Sequence, residues 1–168
     1  MIGRRTFQRW AAPVAAAGLF GVALIVGDDW PAWVLVNESP SVPSGLYFRT
    51  GATAERGELV AIAQPAAAQS YLTRLGMPHD VLLLKRVAAV EGDPVCARDG
   101  TVRTPGRQVR TLDRDRQGAA LPVWRECRRL ASDELFLLGD TPGSFDSRYF
   151  GPVLRGDAVG VYREVLKW

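Results

Sequence analysis

The sequence predicts a mainly β domain of about 140 residues behind one N-terminal apolar helix, and three observations carry that prediction. Beyond residue 28 the apolar residues come in short runs broken by Gly, Pro and Asp, the pattern of strands and turns. The 168 residues include 17 Gly and 11 Pro, more turn-formers than a helical bundle would carry. From Trp10 to Gly27 no residue is charged, in a chain whose charged fraction is 23%.

That uncharged stretch comes first. As a helix it would be ~27 Å long at ~1.5 Å per residue, close to a hydrocarbon core of ~30 Å. Arg4, Arg5 and Arg9 precede it and Asp28 and Asp29 follow it, so residues 1–9 are expected in the cytoplasm and residues 28–168 across the bilayer. Trp10, Trp30 and Trp33 stand where interfacial aromatics belong. A cleaved secretory signal shares this plan, although Leu24, Ile25 and Val26 leave no small-x-small cleavage site before Asp28.

The body of the chain then reads as strands at Trp33–Asn37, Gly45–Arg49, Glu58–Ala63, Val81–Val90, Leu135–Leu138 and Asp157–Leu166, with one short helix at Ala66–Leu75 stopped by Gly76. Gly45 is read as a turn into its strand. Residues 98–118 are polar and Arg-rich and read as hairpins and loops. Their arginines alternate with Asp113 and Asp115, as on a solvated face.

Charge and cysteine usage exclude two classes. The net charge is +3, and the three N-terminal arginines account for all of it, so the rest has no basic surface for nucleic acid. One His and two separated Cys cannot build a four-ligand zinc site, so neither metal nor cofactor is expected. Outside the cytoplasm, Cys96 and Cys127 are a candidate disulfide; two reduced thiols are the alternative.

Of 21 basic residues only Lys85 and Lys167 are lysines. GC-rich coding would produce that bias by itself. Lysine differs chemically from arginine in being able to give up its proton when buried. Lys85 follows Val81-Leu82-Leu83-Leu84, an apolar setting that disfavours the ammonium; Lys167 is terminal. A buried lysine can serve a serine nucleophile as general base. Serines cluster in Asn37-Glu38-Ser39-Pro40-Ser41-Val42-Pro43-Ser44-Gly45, where two prolines restrict the backbone around Ser41. A third polar segment, Gly139-Asp140 through Ser144-Phe145-Asp146-Ser147-Arg148-Tyr149-Phe150-Gly151-Pro152, follows the apolar strand at Leu135–Leu138. Each segment taken singly also fits an inert loop.

Together, in this order and behind one anchor, the three segments resemble the serine–lysine type I signal peptidases, and more closely the TraF-type conjugative-transfer branch. Pro43 stands two residues after Ser41, where general signal peptidases have proline three after the nucleophile. The stretch from Gly139 to Ser144 is also one residue shorter than in that general group. The resemblance implies a folded antiparallel β-sheet or barrel. It implies Ser41 as nucleophile, Lys85 as general base, Ser39 with Ser41 in the oxyanion hole, and Ser144 orienting the lysine amine. Asp140, Asp146 and Arg148 would be structural support, the last two as a buried pair. Implied partners are a precursor protein, most closely a pilin, the lipid bilayer and the conjugation apparatus. Competing readings are a general type I signal peptidase, a hydrolase using His79 as base, a non-catalytic membrane-anchored component of a secretion or conjugation assembly, and a self-cleaving repressor. The last is soluble and carries a DNA-binding domain, against which the anchor speaks.

Overall fold

The computed structural model of the chain describes residues 32–168. The predicted tail at 1–9 and apolar helix at 10–27 lie outside the described residues. Among the described residues no helix is long and apolar enough to cross a membrane.

In chain order the strands are β1 (Val34–Asn37), β2 (Gly45–Thr50), β3 (Leu59–Ile62), β4 (Leu83–Ala89), β5 (Pro94–Arg98), β6 (Thr101–Thr104), β7 (Arg107–Arg110), β8 (Cys127–Arg129), β9 (Glu134–Leu138), β10 (Val153–Leu154) and β11 (Ala158–Lys167). Helix α1 (Ala66–Arg74) joins β3 to β4, and α2 (Ser147–Phe150) precedes β10. A seven-stranded sheet has the order β1-β2-β11-β3-β4-β9-β10, and a four-stranded sheet the order β7-β6-β5-β8. Every pairing is antiparallel. The predicted mainly β character therefore holds, with a second helix of four residues beside the single one expected.

The large sheet is buried on both faces at its centre, which is why β3 reads as an unbroken apolar run. Val60, Ile62, Leu83, Val87, Leu135 and Leu137 on one face pack against Ala68, Tyr71 and Leu72 of α1 and against Tyr149 and Phe150. Those helical positions are spaced three and four apart, so one stripe of α1 covers the sheet. Leu59, Ala61, Leu84, Tyr47 and Tyr162 on the opposite face enclose Val42. A third cluster, with Ala88, Ala89, Val95, Val102, Phe136 and Leu138, sits between the two sheets. The β4–β9 register slips between Val87 and Ala89, so the strand bends where the small sheet begins.

The 98–118 region contains the hairpin expected there, β6 to β7. It holds β6 and β7 of a real sheet, whose burial alternates residue by residue along β6. Val102 is fully buried, while Arg103 is exposed beside it. In the same sheet Cys96 of β5 lies opposite Cys127 of β8, and their sulfurs are joined. Gly45 is corrected. It occupies no left-handed conformation, and its requirement is space: a Cβ there would collide with Leu166 O of the neighbouring β11. Trp33 is exposed, with the Arg49 guanidinium 5.9 Å from its ring centre.

Candidate active site

Lys85 lies in the middle of β4 opposite Val60 of β3, on the sheet face that carries Leu83 and Val87. Antiparallel partners share a face, so strand alternation places Lys85 on the sheet face that carries Val60, Leu83 and Val87. The residue is 4% exposed, and none of the ion pairs among the described residues involves it. Burial lowers its pKa from 10.5 to about 8; Asp146 and Asp140 pull it upward and Arg148 pushes it down. At pH 7 roughly one amine in ten would then be neutral, against about one in 2,500 for an unperturbed lysine.

Ser41 sits in the loop between β1 and β2 and is 8% exposed. The loop is pinned by its neighbours. Val42 is in the core, and the Tyr47 hydroxyl donates to Pro43 O at 2.7 Å. Burial, with Glu164 nearby, pushes the Tyr47 pKa up to about 12, so this hydroxyl remains a donor. The Ser41 carbonyl accepts from Asp140 N at 2.6 Å, tying the serine loop to the segment after β9. Ser41 N donates to no backbone acceptor among the described residues.

The segment after β9 is shaped by Asp146 and Arg148, which are 0% and 1% exposed. Arg148 Nε donates to Asp146 Oδ1 at 2.7 Å and Nη2 to Oδ2 at 2.8 Å. The same carboxylate caps α2 through Arg148 N and accepts from Gly139 N at 2.8 Å. The guanidinium also reaches Pro142 O at 2.9 Å, Arg110 O at 3.2 Å and Thr141 O at 3.5 Å. Every donor of the fork is thereby used, which is the condition for burying a charge pair. The bond to Arg110 O ties this segment to β7.

Ser144 is 3% exposed, and its Oγ is buried without a hydrogen-bond partner. It rests directly on Gly139, where any Cβ would collide with Ser144 Oγ and approach Ser41 O. The glycine thus lets Ser144 and the Ser41 backbone come to one place. A buried hydroxyl without a protein partner is costly to bury.

Asp140 is held from outside. Arg86 grips it with two bonds, Nε to Oδ1 at 3.0 Å and Nη2 to Oδ2 at 2.9 Å, and Arg107 Nη1 lies 3.9 Å from Oδ1. These bonds, Arg86 first, hold the Asp140 carboxyl below the usual range. Arg107 also donates to Gly139 O at 3.1 Å, so an arginine of the polar 98–118 stretch works inside the site rather than on a solvated face. The sequence reading assigned no role to Arg86, although it is the residue next to Lys85.

Ser39 is exposed, and its hydroxyl donates to Asn37 Oδ1 at 2.9 Å. His79 is exposed on the turn between α1 and β4. Asn37 is the residue that the sequence reading missed: it is buried and bonds to three residues of the serine loop, Ser39, Val42 and Pro43.

The structure thus brings Ser144, Asp140, Asp146 and Arg148 to the Ser41 loop, with Lys85 within electrostatic reach of Asp146, Arg148 and Asp140. Comparison with known proteins identifies the family. Residues 10–168 match the family described as signal peptidase, peptidase S26. Two plasmid transfer proteins TraF of Escherichia coli are 35% and 31% identical to the chain, over 96% and 98% of its length and 98% and 99% of theirs. A signal peptidase I of Enterococcus faecalis is 22% identical and covers 67% of this chain and 98% of its own; its TM-score of 0.40 is too low to add to the argument. With nearly its whole length matched, the chain belongs to the signal peptidase family S26, among its TraF-type members.

Proposed function

We propose that the chain is a single-pass inner-membrane serine endopeptidase that processes exported precursor proteins in conjugative transfer, with a pilin subunit as substrate. Residues 1–9 are cytoplasmic, 10–27 span the bilayer and 28–168 form the periplasmic domain. The names of the two relatives, plasmid transfer proteins, support the conjugative setting.

Ser41 is the nucleophile and Lys85 the general base. Neutral Lys85 takes the Ser41 hydroxyl proton as Oγ attacks the scissile carbonyl. The new C–O bond forms as the carbonyl π electrons move to oxygen, and Ser41 N–H stabilises that oxyanion, with the Ser39 hydroxyl as a second donor. The lysine ammonium then protonates the departing amine as the C–N bond breaks. Water, or the substrate's own amine, attacks the acyl ester, gives its proton to Lys85 and releases Ser41. The carrying observation is Lys85 itself, buried without a counter-ion and lowered to about 8. His79, exposed on its turn, has no such setting.

The test is turnover of a precursor pilin or small-residue peptide by purified variants in detergent. Lys85→Arg keeps the positive charge but cannot deprotonate, and should lose at least ~10²–10⁴-fold. Ser41→Ala should match it, and the double variant should be no worse than either. Lys85→Met controls for guanidinium bulk. Near-normal turnover in Lys85→Arg, with loss in His79→Ala, would move the base to the histidine.

A further inference from the structure

Asn37 ends β1, four residues before Ser41, and is buried. Its Nδ2 lies 2.9 Å from Ser39 O, 3.0 Å from Val42 O and 2.9 Å from Pro43 O. Its Oδ1 accepts from Ser39 N at 3.3 Å and from Ser39 Oγ at 2.9 Å. The amide orientation follows from these partners, because a flip would set Oδ1 against three carbonyl oxygens. Oδ1 carries no proton, so the single hydroxyl proton of Ser39 must point at it. A hydroxyl has one proton to give, so in this state Ser39 has none for a substrate oxyanion.

The three carbonyls held by Nδ2 lie on both sides of Ser41 in the chain. We infer that Asn37 is a positioning residue for acylation: its carboxamide clips the loop on either side of Ser41 and holds the Ser39 hydroxyl in reserve, so that Ser39 donates to the oxyanion only after leaving Asn37 Oδ1. This rests on the assignment of Ser41 as nucleophile. Loosening the clip lets the nucleophile wander while leaving the surface that binds peptide in place. A misplacement near 1 Å is enough to cost ~10²-fold in rate.

The experiment measures kcat and KM separately on the precursor peptide, with the full chain in detergent, for Asn37→Ala, Asn37→Asp and Ser41→Ala, each checked by thermal unfolding. Asn37→Ala should lower kcat about 10–100-fold with KM within about twofold and an unchanged pH midpoint. Asn37→Asp keeps the acceptor for Ser39 but replaces the donors with an oxygen facing three carbonyls, so it should fall as far. If Asn37→Ala does not fold, Asn37→Ser, which keeps one short hydroxyl, is read in its place with the same expected split. Wild-type kcat in the alanine variant, full activity in the aspartate variant, or a loss confined to KM would each overturn the inference. An active Ser41→Ala would instead overturn the nucleophile assignment; an inert Ser41→Ala beside a normal Asn37→Ala would remove the clip alone.

Discussion

Two arginine–carboxylate pairs shape the segment after β9, and they are built in opposite ways. Asp146–Arg148 is sealed, with side-chain exposures of 0% and 1%, and its spare donors and acceptors are taken by Gly139 N, Pro142 O and Arg110 O. Asp140–Arg86 is bidentate as well, but about a third of each side chain meets solvent, at 32% and 34%. Losing one partner of a sealed pair strands a charge in low dielectric, whereas an open pair is replaced by water. The sealed pair therefore holds the fold, and the open pair can serve alignment at little cost in stability. Both act on Lys85, because Asp146 and Asp140 favour its ammonium and Arg148 opposes it.

The largest effect on this contrast should come from Arg148→Met. It leaves Asp146 buried and unpaired, and denaturant unfolding should show a loss of about 3–5 kcal/mol. If the variant folds, the amine loses an opposing charge and the midpoint of the pH–rate profile should move above 8. A loss under about 1 kcal/mol would show that the pair is not sealed in solution.

Lys85→Met should run the other way. The native pKa of Lys85 is below its unfolded value, so the folded state binds the proton less tightly. Folding therefore carries a cost that is full below pH 8 and fades as pH rises towards 10.5. Removing the amine should raise stability at pH 7 by up to about 3 kcal/mol, with the gain disappearing in alkaline buffer, while turnover is lost. A destabilised Lys85→Met would mean that its ammonium is well solvated. In the wild type, turnover should rise through about pH 8 as the amine deprotonates.

Arg86→Met addresses the open pair. Unfolding should change by only ~0–1 kcal/mol, while kcat falls as Asp140 loosens its hold on Ser41 O. Equal stability losses in Arg86→Met and Arg148→Met would erase the distinction between the pairs. The smallest stability effect is expected for Ser144→Ala, because its hydroxyl has no partner to lose. Turnover should nonetheless drop if the hydroxyl orients the lysine amine; unchanged turnover would leave Ser144 as packing against Gly139.

The sequence was most legible where burial imposes a period or an unbroken run. The strand expected at Val81–Val90 is β4 at Leu83–Ala89, and the helix expected at Ala66–Leu75 is α1 at Ala66–Arg74. It was least legible in β5–β8, strands of three to five residues whose exposed positions are mostly arginine, and in α2, too short to show a helical period. The site divides in the same way. Lys85 stood out because a lone lysine behind four apolar residues is unusual chemistry in a chain that otherwise uses arginine. Asn37 and Arg86 did not, because an asparagine at a strand end and an arginine in a strand have no periodic signature.

By itself, then, the sequence determined the apolar and polar patterning, the strands that follow from it, the family, and the residue types available for acyl transfer. Only the tertiary structure decided which of two like pairs is sealed, that Gly139 leaves room for Ser144, and that the Arg107 side chain reaches from β7 to the Gly139 carbonyl. The physical reason is range. Patterning is set by each residue's own contact with water, whereas desolvation, pairing and the direction of a hydrogen bond depend on groups brought together from distant parts of the chain.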